Sequence, residues 1–155
     1  MMAKRIVYVD MDNVLVDFQS GIDRLPEEVR NEYEGKLDEV PGIFGMMDPV
    51  DGAIESIKKL HPHFDLYILS TAPWKNPSAW SDKPQWVQKH LGQGPENIFY
   101  KRLILSHHKN LNRGDFLIDD RPNNGAKDFG GELIVFGSGR FRDWPSVTGY
   151  LLGKV

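Results

Sequence analysis

The sequence predicts an α/β fold: a Rossmann-like parallel sheet flanked by helices, with a small helical insertion after the first strand. Three observations carry that prediction. Five short apolar runs are rich in β-branched and aromatic residues, helix-patterned stretches lie between them, and one long polar segment breaks the alternation. Near-continuous apolarity over a few residues suits strands buried on both faces, as in parallel sheets.

The first run, RIVYVD (5–10), opens the sheet. VDGAIESIKKL (50–60) then sets Val50, Ile54, Ile57 and Leu60 at helical spacing. FDLYILS (64–70) is the second strand, and AWSDKPQWVQKHL (79–91) a second helix with Pro84 in its first turn, where a missing N–H costs least. FYKRLIL (99–105), DFLID (115–119) and ELIVFG (132–137) complete the strands. Between the first strand and the helix at 50 lies PEEVRNEYEGKLDEV, polar and amphipathic, followed by PGIFGMMDP. Structureless connections this long are uncommon, so residues 17–48 are expected to form a small helical cap above the sheet. The core is then residues 1–16 and 49–155.

A chain of 155 residues fits one domain with a real core. Its 40% hydrophobic and 26% charged residues, with a net charge of −3, are those of an ordinary globular protein. That balance argues against an obligate nucleic-acid partner, which favours a basic stripe. The absence of cysteine excludes disulfides, zinc–thiolate sites and a thiol nucleophile. No stretch approaches the roughly 18–20 apolar residues of a membrane span. The N-terminus runs into a strand pattern without a signal-peptide core, so the cytoplasm is the expected location. The sequence does not choose between a monomer and a homodimer.

Acidic residues at strand ends carry the chemistry. Asp10 closes the first apolar run, and Asp12 points the same way if the chain is still extended. Asn13 follows, a residue that tolerates positive φ. Asp119 and Asp120 close FLIDD in the same manner. Ligands of open parallel sheets bind at the carboxyl edge, so two central strands there bring four carboxylates together. Such density calls for a divalent cation, and an all-oxygen donor set favours Mg²⁺. Ser70 and Thr71 end another strand, where a hydroxyl and free amides make a phosphate cradle. Lys109 lies just past LILSHHKN, where an ammonium neutralises a phosphate oxygen.

The order Asp-x-Asp, Thr, Lys, Asp-Asp resembles the four-motif signature of the haloacid dehalogenase-like (HAD) superfamily of phosphotransferases. DMDNV, ILST, Lys109 and IDD match its motifs over about residues 4–137. Within it the chain looks most like the 5′(3′)-deoxyribonucleotidase family, through DMDNVLVDF, STAP, KPQWVQKHLG and FLIDDRPNN. The resemblance implies a Mg²⁺-dependent phosphomonoesterase acting on deoxyribonucleoside 5′- or 3′-monophosphates. It implies Asp10 as nucleophile and Asp12 as general acid/base. Thr71, Ala72, Lys83 and Lys109 are implied phosphate ligands, with Lys83 at the head of a helix. The implied metal site comprises Asp10, the Asp12 carbonyl, Asp119 as direct ligand and Asp120 alongside or through water. Phe18, Phe44 and Trp74 are candidates to stack on a base or sugar, or to pack the cap. Asn13 departs from the family's usual Gly, and the cap is short. Alternatives are a HAD-like phosphatase of another small phosphometabolite, or a non-catalytic nucleotide or phosphate sensor.

Other motifs stay with plain structural readings. His61 and His63 follow a helix C-terminus, and His107 and His108 lie near the expected site. GSGRFRDWP (137–145) reads as a basic loop at the sheet's edge. Trp80, Trp86 and Trp144 are expected to be packing residues.

Overall fold

In a computed structural model, which describes residues 3–155, the five apolar runs supply a five-stranded parallel sheet. β1 (Arg5–Val9) leads through a tight loop into β2 (Val16–Asp17), which pairs antiparallel with β3 (Asp48–Pro49). α3 (Ala53–Leu60), β4 (Phe64–Ser70), α4 (Pro77–Leu91) and β5 (Leu103–Leu105) follow. β6 (Phe116–Asp119), β7 (Glu132–Val135) and α5 (Trp144–Leu152) complete the chain. The strand order is β5-β4-β1-β6-β7, so the chain builds outward on one side of β1 and then returns to pair β6 on the other. That reversal opens a crevice between the carboxyl ends of β1 and β6.

Alternation along each strand divides the core. Val7, Val9, Leu66, Ile68, Phe116, Ile118 and Ile134 join one large cluster with side chains of α3, α4 and α5. Tyr8, Leu69 and Leu117 face the other way, onto Ala126 of a short 3-10 turn (Ala126–Asp128) and Phe129 just after it.

Two elements differ from the sequence expectation. Only Leu103–Leu105 of the 99–105 run is strand, because residues 97–102 are used in turning the chain back to the sheet. Asn97 organises that turn, donating to the Gly92 carbonyl (2.7 Å) and accepting from the Phe99 N–H (2.8 Å). Phe99 is apolar because it is buried in the core from a loop. Helix α4 begins two residues earlier than expected, with Pro77 in the first turn, so Pro84 lies inside the helix. The N-terminal position that tolerates a missing N–H is taken by Pro77, and Pro84 forfeits an interior bond.

Residues 17–48 contain α1 (Phe18–Asp23), α2 (Glu27–Glu32) and 3-10 turns at Leu37–Glu39 and Ile43–Gly45. The β2–β3 ribbon closes the neck of this segment. Side chains of α4 hold it down: the Trp86 indole donates to the Met47 carbonyl (2.9 Å). The Asn76 amide, at the start of α4, donates to the carbonyls of Asp38 (2.9 Å) and Val40 (3.1 Å). Trp86 and Trp144 are buried, whereas Trp80, expected to pack, is 40% exposed. Its outward position follows from the helix phase that buries Ala79, Lys83, Trp86 and Val87.

Candidate active site

The site begins with β1 and β6 as neighbours. The Asp10 N–H donates to the Ile118 carbonyl (2.9 Å), which fixes Asp10 beside the end of β6. Asp10 and Asp119 are both buried, and with half-buried Asp120 they offer carboxylate oxygens within 4.8 Å of one another. Lys109 enters from a 3-10 turn (Lys109–Leu111), and its own N–H donates to the Asn124 carbonyl (2.7 Å). Its ammonium touches Asp119 Oδ2 at 2.6 Å and Asp10 Oδ1 at 3.1 Å.

Asp12 is presented differently. Asn13 adopts φ 63°, and the following N–H groups of Val14 and Leu15 fold back onto the Met11 carbonyl. The expected tolerance of positive φ is therefore used here. Trp144 of α5 anchors the loop, its indole donating to the Val14 carbonyl at 2.7 Å. Asp12 is thereby turned away from the three clustered carboxylates and towards Lys83, which donates to its Oδ2 at 3.1 Å. Its side chain is not part of the acidic cluster.

Charge and burial act together on these groups. Burial pushes the Asp119 carboxyl up to about 7, with the Asp10 charge adding and Lys109 opposing. Burial and then the Asp10 charge raise Asp120 as well. Asp12 is raised chiefly by burial, against the Lys83 ammonium. Burial alone would lower Lys109, but Asp10 and Asp119 outweigh it and hold the ammonium charged. Of the three clustered carboxylates, Asp10 and Asp119 share one ammonium and Asp120 has none in contact. The residual negative charge and the all-oxygen donor set fit a hard divalent cation.

A small recess lined by Asp10, Asp12, Thr71, Lys109 and Asp119 opens into a cavity of about 790 Å³. Phe18, Leu37, Glu39, Trp74 and His107 are among the outer walls. Thr71 lines both spaces, its hydroxyl donating to the Ser106 carbonyl (2.7 Å). Ala72 is fully buried beside it.

Two expected site residues are placed elsewhere. Lys83 is neither at a helix head nor on the cavity. It sits mid-α4 with no exposed surface, its ammonium bonded to Asp12, Ser70 Oγ (2.8 Å) and the Thr71 carbonyl (2.9 Å). Those three acceptors use all its protons, so none is left for a phosphoryl oxygen. Phe44 is buried, packing edge-on against Phe18 at 5.8 Å, while Phe18 and the 81%-exposed Trp74 do face the cavity. Arg121, Asn123 and Asn124 line both spaces and were not singled out by sequence. Their signal was the turn composition of RPNNG, where Asn124 takes φ 54°.

Comparison with known proteins decides the family. The model of the family described as "5' nucleotidase, deoxy (Pyrimidine), cytosolic type C protein" matches residues 26–146. This chain belongs to that family. A protein of the Vibrio phage KVP40 named as a 5′(3′)-deoxyribonucleotidase is 61% identical over 151 residues, 97% of this chain and 86% of the phage protein. The human cytosolic-type 5′(3′)-deoxyribonucleotidase is 31% identical, over 74% of this chain and 70% of its own. Among solved structures, the HAD-hydrolase YfnB of Bacillus subtilis, in a form bound to magnesium, matches with TM-score 0.60 at 14% identity. That match covers 97% of this chain and 99% of YfnB. A haloacid dehalogenase-like hydrolase from Xanthomonas campestris gives 0.55 at 10%, over 99% and 96% of the two chains. These likenesses establish the HAD-like core. The family member described here is accordingly a hydrolase of the phosphatase type. Among the described residues, no helix is long and apolar enough to cross a membrane.

Proposed function

We propose that this phosphatase is Mg²⁺-dependent and acts on deoxyribonucleoside 5′- or 3′-monophosphates in the cytoplasm. The observation that carries the reading is the convergence of Asp10, Asp119, Lys109 and Thr71 on one recess at the β1/β6 crevice, with Asp120 clustered beside the two aspartates and a cavity large enough for a nucleoside adjoining it. Residues 17–48 act as a cap that supplies part of that cavity, including Phe18 and Leu37. The names of the relatives support the substrate class.

Asp10 is the nucleophile: its carboxylate attacks phosphorus in line, and the P–O bond to the nucleoside breaks as an aspartyl phosphate forms. Asp12 gives its proton to the departing oxygen, then takes one from the water that hydrolyses the aspartyl phosphate. Burial that keeps the Asp12 carboxyl protonated more readily suits the first of these tasks. Thr71, the Ala72 amide and Lys109 hold phosphoryl oxygens. Asp10, the Asp12 carbonyl, Asp119 and Asp120 form the cation site. Bound there, Mg²⁺ supplies fixed positive charge against the phosphoryl oxygens.

The test is phosphate release from a panel of 5′- and 3′-deoxyribonucleotides, ribonucleotides and sugar phosphates, with Mg²⁺ and with EDTA. EDTA-sensitive turnover favouring deoxyribonucleotides is expected, and Asp10→Asn abolishes it. A fully active Asp10→Asn protein ends the covalent mechanism, and a preference for sugar phosphates ends the nucleotide assignment.

A further inference from the structure

The buried ammonium of Lys83 has no access to the cavity, yet it joins three parts of the molecule. It donates to Asp12 Oδ2 in the loop after β1, and to Ser70 Oγ and the Thr71 carbonyl at the end of β4. It also lies 4.6 Å from the centre of the Phe44 ring, contributed by residues 17–48. Phe44 in turn packs edge-on against Phe18, a wall of the cavity. The two oxygens of Asp12 are thereby made unequal. Oδ2 is held by Lys83, while Oδ1 is enclosed and finds no hydrogen-bond partner among the described residues.

A carboxyl group that must deliver a proton to one atom works best when its rotation is fixed and the delivering oxygen is unengaged. Holding one oxygen from a charged, dehydrated donor does this, because the donor cannot exchange Asp12 for water. An aromatic face over the ammonium completes its enclosure without competing for its protons. We propose that Lys83 is a positioning residue: it fixes the rotation of the Asp12 carboxyl through Oδ2 and leaves Oδ1 without a competing partner, and Phe44 couples that contact to the seating of residues 17–48 on the core. The proposal rests on the acid/base reading of Asp12. It predicts that loss of Lys83 impairs the proton-dependent step, not phosphate affinity.

Leaving-group chemistry separates these possibilities. A 2′-deoxyribonucleoside 5′-monophosphate leaves as an alkoxide and needs the proton, whereas p-nitrophenyl phosphate leaves as a stable phenolate and does not. First-turnover rates on both, together with kcat and KM, are measured for the Mg²⁺-loaded wild type, Asp12→Asn, Lys83→Met and Phe44→Leu. Lys83→Met keeps an unbranched chain of similar bulk in the buried site. It is expected to lower the nucleotide rate on the order of 10²-fold, as a misplaced catalytic group does, with less than about threefold change on the aryl ester. Phe44→Leu shows the same split at smaller size. An equal loss on both substrates, or a raised KM at unchanged kcat, overturns the proposal. If Lys83→Met does not fold, Phe44→Leu decides, and the absence of a split in that variant overturns it. A split in Asp12→Asn without one in the other two sinks the positioning role alone. No split in Asp12→Asn removes the acid/base reading and this inference with it.

Discussion

At the scale of single residues, the two acidic pairs have diverged in what they touch. Asp10 and Asp119 are enclosed and share one ammonium, while Asp120 is half-buried and accepts from the Asn13 side-chain amide at 3.4 Å. At the proposed cation site, that difference orders the two carboxylates of the second pair. Asp119→Asn removes a buried, shared oxygen donor. Asp120→Asn removes an outer one, whose loss costs about 10–100-fold in metal affinity or activity if it acts through water. The expected result is a larger loss in Asp119→Asn, with the Mg²⁺ concentration for half activity shifted upward in both. Titrating activity with Mg²⁺ checks this, and a larger shift in Asp120→Asn reverses the assignment. Lys83 shows why residue roles are harder to read than residue identities. A lysine followed by proline looked like a helix head, but Pro77 had already opened the helix. The lysine therefore lies buried in mid-helix, against Asp12 and Thr71 and off the cavity lining.

At the scale of elements, α5 stabilises a loop that it never meets in sequence. The Trp144 indole is fully buried and donates to the Val14 carbonyl, one residue beyond Asn13 and two beyond Asp12. Trp144→Phe fills most of the space but leaves that carbonyl unpaired, which costs about 1–3 kcal/mol. Denaturant unfolding is expected to show a loss of that order. Activity on nucleotide is expected to fall as well, since the loop carries Asp10 and Asp12 into position. Unchanged activity at reduced stability would show that the loop is held by its own hydrogen bonds. The same element explains what could be read from sequence. Strands β1, β4 and β6 were legible because their carboxyl-terminal halves are buried and mainly apolar. The carboxylates were legible because they stand where those runs stop. The Trp144–Val14 bond was not, since 130 residues separate its ends and nothing local marks the pairing. Phe99 misled for the opposite reason: it is as apolar as a strand residue, yet reaches the core from a turn.

At the scale of the whole molecule, the site is built against the stability of the fold. Burial raises Asp119 to about 7, and raises Asp12 and Asp120 in the same direction. Each of these groups holds a proton in the native state over a pH range in which the unfolded chain has released it. The native state then binds more protons, so the Asp119 contribution to stability falls as pH rises from about 4 towards 7, and Asp12 and Asp120 act in the same direction. A divalent cation reverses the requirement, because it needs the carboxylates deprotonated. Its stabilisation is therefore small at pH 5 and grows through pH 7, reaching about 2.7 kcal/mol when its free concentration is 100 times Kd. Melting curves from pH 5 to 8, with EDTA and with excess Mg²⁺, are expected to diverge as pH rises: falling Tm in EDTA, and a widening gap between the two. A constant gap across that range would mean that the cation displaces no protons, and that the carboxylates of the β1/β6 crevice are already ionised at pH 5. The same coupling makes the empty-site penalty a measure of pre-organisation. Negative charge is gathered in the folded chain at a cost in stability, and binding a cation there offsets it.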